Sequence, residues 1–360
     1  MTDYIFGAIA SFCLLASLLP LLPISHGVVR IFDFGRLQIA TIAILTAIIL
    51  SLSQPDNSLD LVFLAMLLSA FVIQAIFIIR FTPLWFKQSA KSKTNADDET
   101  VIRFLICNVK QGNRDYSKLI ELLRECEPDI FILMETDQAW TDAINDAFSH
   151  YPHTLTCPQD NSYGMFLASR LDMISGDIKF LLNDKIPSFH CTFRNDDDQQ
   201  FDLISIHPDP PVPNSDTMGR DAEILIAGKI AIDRKRPMII TGDLNDVAWS
   251  ATTRRFMRLS QLLDPRQGRG MYNSFDARFP FLRWPLDHIF HSEEFELVNI
   301  MRQPFIGSDH FPMMYELALN FSAKNTTPPD ATKDDFDEAK EVIDTEKKRD
   351  RNPVGEDWEK

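Results

Sequence analysis

Apolar and polar positions divide the chain into three regions. Tyr4 to Pro23 and Leu59 to Ile79 are nearly uninterrupted apolar runs, and Ile39 to Leu52 is a shorter one. A bilayer core needs about 20 apolar residues in a helix. The first and third runs meet that length; the second does so with Leu37 and Ser53 counted. A secretory signal is the rival for the first run, but no basic residue precedes it and two further runs follow. The pattern predicts a membrane anchor of three transmembrane helices over residues 1–88, then a polar linker over 89–100.

From residue 101 the runs shorten. Val101 to Asn108 reads as a strand, Tyr116 to Cys126 as a helix with Ser117 as its N-cap, and Asp129 to Met134 as a second strand ending at Glu135. Strand-like runs follow at Met165 to Ser169, His190 to Phe193 and Phe201 to Ile206, the last ending at His207. A helix near Asp216 to Ile232 leads to the buried-strand run Met238 to Ile240, and Ala251 to Leu263 reads as another helix. Leu286 to Phe290 and Met313 to Leu319 are late strands. Strands and helices mixed without strict alternation predict an α+β fold, its helices outside a sheet core. The acidic, apolar-poor residues 322–360 are expected to be a disordered tail.

Charge refines this picture. Arg30 and Arg36 follow the first run, and Arg80, Lys87, Lys91 and Lys93 follow the third, whereas Asp56 and Asp60 flank the turn between the second and third. Three crossings put both basic segments on one side, and the positive-inside rule makes that side the cytoplasm, with an inner-membrane location. The net charge of −15 argues against holding nucleic acid mainly by phosphate neutralisation. Five cysteines without a CxxC pair make metal–thiolate chemistry a poor fit.

Polar residues recur where apolar runs end: Asn108, Glu135, His207, Asp243 with Asn245, Asp287, and Ser308-Asp309-His310. Singly, each has an ordinary explanation as a cap, a solvated carboxylate or a loop residue. Together and in this order, in the pieces FLICNV, DIFILMETD, SIHPDPP, IITGDLND, PLDHIF and GSDHFPM, they resemble the endonuclease/exonuclease/phosphatase superfamily over Val101 to about Phe321. GDLND and GSDHFPM are the most specific of these pieces.

The resemblance implies a four-layer αββα sandwich over residues 101–321, with a site at one rim of its two sheets. It implies a metal-dependent phosphoric ester hydrolase using Mg²⁺, with Mn²⁺ as a substitute. Glu135 is the main metal ligand, because Mg²⁺ favours one or two carboxylates and several waters. Asn108 and Asp309 complete or support that site. Asp243 activates water, Asn245 donates to a phosphate oxygen, and His310 contacts the scissile phosphate with Asp287 on its far nitrogen. His207 is a second phosphate contact or the leaving-group acid. His288, where relatives commonly carry Tyr, is expected to be a packing residue.

Asp264 to Trp284 interleaves Arg266, Arg269, Arg278 and Arg283 with aromatics, and Arg283 is the expected substrate contact. Such a loop suits a nucleic-acid strand or a lipid headgroup at a membrane surface. The expected partners are therefore a phosphate-ester substrate and the bilayer, with no protein partner. A tethered binding module that has lost the chemistry is the alternative; it predicts missing metal or histidine positions, and all are present.

Overall fold

The computed structural model describes residues 2–53, 57–94 and 100–357. The chain forms two compact units, one of Met1–Phe86 with Pro211–Thr217, the other of Lys87–Pro210 with Met218–Lys360.

The first unit contains α1 (Thr2–Leu18), α2 (Gly27–Phe34), α3 (Arg36–Leu52) and α4 (Ser58–Ile78). Small residues at the contacts, Ala10, Ala16, Ala43, Ala47 and Ala70, let the helices approach closely around Leu50 and Leu67. Two stretches, Asp3–Leu21 and Ser58–Phe81, are long and apolar enough to span a membrane. The second expected span is instead the pair α2 and α3, bent by 67° at Gly35. Arg30 and Arg36, read as loop charges, are buried in that pair. Arg36 bonds Asp33 at 2.5 Å and Gln74 at 3.0 Å, and Gln74 donates to Ser17 at 2.9 Å. A charge inside an apolar unit needs such partners.

In the second unit the elements run β1 (Val101–Asn108), α5 (Tyr116–Cys126), β2 (Ile130–Met134), α6 (Gln138–Ala147), β3 (His153–Cys157), β4 (Met165–Ser169) and β5 (Asp172–Phe180). Then follow β6 (Pro187–Arg194), β7 (Gln200–Ile206), α7 (Met218–Ile232), β8 (Met238–Asp243), α8 (Ala251–Ser260), β9 (Asp287–His291), β10 (Phe295–Arg302), β11 (Met313–Leu319) and α9 (Lys333–Glu346). One sheet has the order β10-β11-β1-β2-β4-β3, the other β5-β6-β7-β8-β9. Strand alternation divides the core into layers. Phe104 and Ile106 face Phe189, Phe201, Leu203 and Ile239 between the sheets. Leu105 and Cys107 turn outward to Leu119, Leu123 and Trp140 beneath α5 and α6. Ile204, Ile240 and Phe290 meet Ile224, Ala227 and Phe256 beneath α7 and α8. The fold is the α+β sandwich expected, with helices on both outer faces.

Local departures have local causes. Asp115, not Ser117, is the N-cap of α5, and Ser117 instead donates its hydroxyl to Asp115 at 2.8 Å. The helix expected to reach Leu263 stops at Ser260 because Gln261 takes a left-handed conformation. The linker is not free at its start: Ser92 N–H bonds Leu297 O, Leu297 N–H bonds Ala90 O, and Ser89 Oγ lies 2.6 Å from His291 Nε2. Its residues 95–99 lie outside the described residues.

The tail is the larger correction. Within residues 322–360, α9 starts with a capping box between Thr332 and Asp335. It buries Ala339 and Ile343 against Ala222, Leu225 and Leu259. Average composition hid a single apolar stripe at helical spacing, Ala339, Val342 and Ile343. Residues 358–360 lie outside the described residues.

Candidate active site

The two sheets bring the polar strand ends to one rim. Asn108 and Met134 are register partners in the parallel pair β1/β2, so Glu135 emerges beside Asn108. Asp243 and Asp287 are opposite one another in the antiparallel pair β8/β9. Asn108 joins the sheets: its Nδ2 donates to Glu135 Oε1 at 2.7 Å and to Asp243 Oδ2 at 3.1 Å. Its Oδ1 accepts from Lys110 N–H at 2.9 Å, so Asn108 acts here as a donor that gathers two carboxylates.

His310 lies between two acids. Its Nδ1 is 2.7 Å from Asp287 Oδ2 and its Nε2 3.4 Å from Asp243 Oδ2. Burial disfavours its charge, but Asp287 and Asp243 outweigh burial and hold its pKa up at about 10. Ser308 Oγ receives His310 N–H at 3.0 Å and donates to Asn108 O at 2.7 Å, tying this loop to β1. His207 is buried with Nε2 3.8 Å from Asp243 Oδ2, and its Nδ1 has no partner. Burial pushes its pKa down to about 4, so it is neutral at neutral pH. Asn245 donates N–H to Asp243 Oδ1 and Nδ2 to Pro208 O, each at 3.0 Å, which leaves one amide hydrogen uncommitted by these bonds.

Glu135 is half-buried as a residue, and burial followed by the charge of Asp309 pushes its carboxyl up to about 7. Gln111 N–H donates to its Oε2 at 3.2 Å. Asp309 binds Lys110 Nζ at 3.0 Å. Lys110, Glu135 and Asn245 all have positive φ, at 59°, 60° and 50°. Left-handed backbone at non-glycine residues is stored strain, and it clusters here.

Asn108, Glu135, His207, Asp243, Asn245, Asp287, Asp309 and His310 thus converge. Arg283 does not reach them: it donates to Ala277 O at 3.2 Å and lies over the Phe311 ring. Arg278, half-exposed, is the nearer arginine, 3.6 Å from Asp309. Arg266 is fully buried on Asp264 and His288, so it and His288 are packing residues.

Sequence reading missed Lys110, Arg220, Asp209 and Asp246. Arg220 holds Asn245 O at 3.1 Å and approaches Asp246 at 3.5 Å. Three charged residues, Arg220, Asp221 and Glu223, crowded at the start of a largely apolar helix were the signal available for it.

Two mixed sheets with outer helices thus carry a rim of carboxylates, amides and histidines. A sequence profile of the Endonuclease/Exonuclease/phosphatase family matches residues 105–310, more than half of the chain, and the chain belongs to that family. Its structure is similar to a humanized D. rerio TDP2 (13% identity, 61% of this chain and 99% of that one, TM-score 0.52). It is also similar to an endonuclease/exonuclease/phosphatase from Beutenbergia cavernae (15%, 61% and 72%, 0.52). The human Nocturnin catalytic domain is a third such structure (16%, 62% and 96%, 0.50). Among curated protein sequences none matches this chain.

Proposed function

We propose that the protein is a membrane-anchored, divalent-metal-dependent phosphodiesterase or phosphatase, cleaving a phosphate ester by in-line attack of water. The observation that carries this reading is His310 clamped between Asp287 and Asp243, beside Glu135 and the unpartnered His207 nitrogen.

Asp243, Asp287 and His310 present ligand atoms within 4.8 Å of one another. A histidine raised to about 10 keeps its proton, however, and a protonated imidazole is no ligand. The hard-oxygen pair Glu135 and Asp309 suits Mg²⁺ or Mn²⁺ better, since a buried carboxyl pushed up to about 7 is one a cation would return to its charged form. Asn108 supports that pair through its donor nitrogen. A metal bound there supplies Lewis-acid stabilisation of the charge developing on phosphate.

The chain's own groups do the rest. Asp243 accepts a proton from the attacking water as its oxygen bonds to phosphorus. The ester oxygen departs with the electron pair of the broken bond and is protonated by solvent. His310, charged and oriented by Asp287, and Asn245 contact non-bridging oxygens. Neutral His207 is better suited to a phosphate contact than to leaving-group acid catalysis. Arg278 lies beside Asp309, and Phe279 and Phe281, which follow it in the chain, are exposed, which fits either a nucleic-acid strand or a lipid headgroup.

The full chain in detergent micelles should hydrolyse bis(p-nitrophenyl) phosphate, lose that activity to EDTA, and regain it with Mg²⁺ or Mn²⁺. A panel of DNA, RNA and phospholipid headgroup esters then separates the substrate classes. Hydrolysis of none of them would overturn the reading.

A further inference from the structure

The stretch after α9 takes no part in the chemistry above, yet it grips the backbone behind His207. Asp209, two residues beyond His207, is buried, and both its oxygens are held from the C-terminal side. Val354 N–H donates to Oδ1 at 3.0 Å and Arg351 Nη2 to Oδ2 at 3.0 Å. The Tyr163 hydroxyl meets the same Oδ1 at 2.9 Å and also the Val354 carbonyl. The Tyr163 ring packs against the His207 imidazole, centroids 5.5 Å apart, and the intervening Pro208 carbonyl holds Asn245 Nδ2.

The grip is itself anchored. Arg351 Nε donates to Glu346 Oε1 at 2.7 Å, Asn183 Nδ2 to Arg351 O at 2.9 Å, and Lys185 Nζ to Glu356 Oε2 at 2.8 Å. Gly219, at the start of α7, makes room for the guanidinium, since a Cβ there would lie 1.9 Å from Arg351 Nη2. A small cavity at this point is lined by Asp209, Glu223, Glu346 and Arg351, and Glu223 Oε1 has no partner. Arg351 is the one cation among the lining residues. Taking it away leaves Asp209 Oδ2 without its cation and only the neutral donors Val354 N–H and Tyr163 hydroxyl on Oδ1, which favours moving Asp209 out towards water.

We propose that Arg351 is a positioning residue: through Asp209 and Tyr163 it fixes His207 and Asn245 for their contacts with phosphate. The proposal rests on the phosphate-ester reading of the site for its consequence, though not for its geometry. A small displacement of a contacting group costs up to about 100-fold in rate. Arg351→Met keeps the stem and removes the guanidinium, Arg351→Lys keeps the charge, and Tyr163→Phe cuts only the hydroxyl link.

The test uses the full chain in micelles with ¹³Cε1-labelled histidines, the His207 signal being assigned by His207→Gln. Arg351→Met and Tyr163→Phe should move the His207 signal while those of His153 and His291 stay in place. Turnover of bis(p-nitrophenyl) phosphate should fall about 10- to 100-fold in Arg351→Met and be largely kept in Arg351→Lys. A His207 signal unmoved in both Arg351→Met and Tyr163→Phe would overturn the proposal. So would movement of every histidine signal in Arg351→Met and Arg351→Lys alike, which marks a merely structural role. Should the wild type turn over no phosphate ester, the functional reading falls, and the His207 signal still decides the positioning.

Discussion

His310 separates two carboxylates that the β8/β9 register sets directly opposite each other, Asp243 and Asp287. Like charges in that relation repel, so the imidazolium is structural cement as well as a phosphate contact. His310→Ala should therefore lower both turnover, by roughly 10²- to 10⁴-fold, and thermal stability. Adding Asp287→Asn to it should restore part of the melting temperature and none of the activity. Asp287→Ala alone should cost nearly as much turnover as His310→Ala, and the double alanine variant little more, because groups acting as a unit are not additive. Steady-state rates that multiply would separate the two residues. For Glu135→Gln the expectation is a loss of Mg²⁺ activation with an unchanged melting temperature without metal; intact metal dependence would remove Glu135 from the proposed site. These residues were legible because each closes an apolar run. Lys110, Arg220 and Asp209 were not, since their partners lie far along the chain or are backbone atoms. Arg278 rather than Arg283 lies beside Asp309, which sequence order could not show because it says nothing about which side of a turn faces Asp309.

The strands that bear the site were readable as elements, the acidic helix was not. Short apolar runs ending in Asn, Glu, His or Asp located β1, β2, β7 and β8, and the run Leu286 to Phe290 located β9 behind Asp287, since strands buried on both faces need no alternation. α9 failed the same reading because charge dominates its composition, while its stability comes from a stripe against α7 and α8 and from ion pairs. Asp335 is the key to those pairs. The hydrogen bond from Arg258 holds its carboxyl well below the usual range. A folded pKa below the unfolded value of about 3.9 means a contribution present above that value and lost as pH falls towards the folded one. Hydrogen-exchange protection across Lys333–Glu346 should thus fade below about pH 4, and Asp335→Asn should weaken it already at neutral pH. Equal protection in wild type and variant across that range would contradict the assignment. At the end of β8, Gly242 has φ of 136°, and a Cβ there would lie 2.0 Å from Ile206 O. Gly242→Ala should cost at least about 1–3 kcal/mol in denaturant melts by pushing the end of β8 away from Ile206 at the end of β7; an unchanged midpoint would mean that this rim is soft.

At the scale of the whole molecule, the apolar first quarter and the sandwich were both visible as changes in pattern, but the path of the second apolar run was not. Length and hydropathy cannot distinguish a straight span from the 67° bend between α2 and α3. The distinction has a topological consequence. If the bent pair crosses the membrane, the chain crosses three times and its two ends face opposite sides. If the pair enters and leaves on one side, only α1 and α4 cross and both ends share a side. We propose three crossings, with the sandwich in the cytoplasm. Lys87, Lys91 and Lys93 are exposed after α4, and Arg30 and Arg36, though buried in the folded unit, carry their charge when the chain is inserted. Alkaline phosphatase needs disulfides that form only outside the cytoplasm, whereas many fluorescent proteins mature within it. A fluorescent protein fused after Lys360 should glow and alkaline phosphatase at the same place stay silent, with the reverse result before Met1. Cytoplasmic signals from both ends would convert the bent pair into a re-entrant segment, and phosphatase activity after Lys360 would turn the whole assignment of sides around.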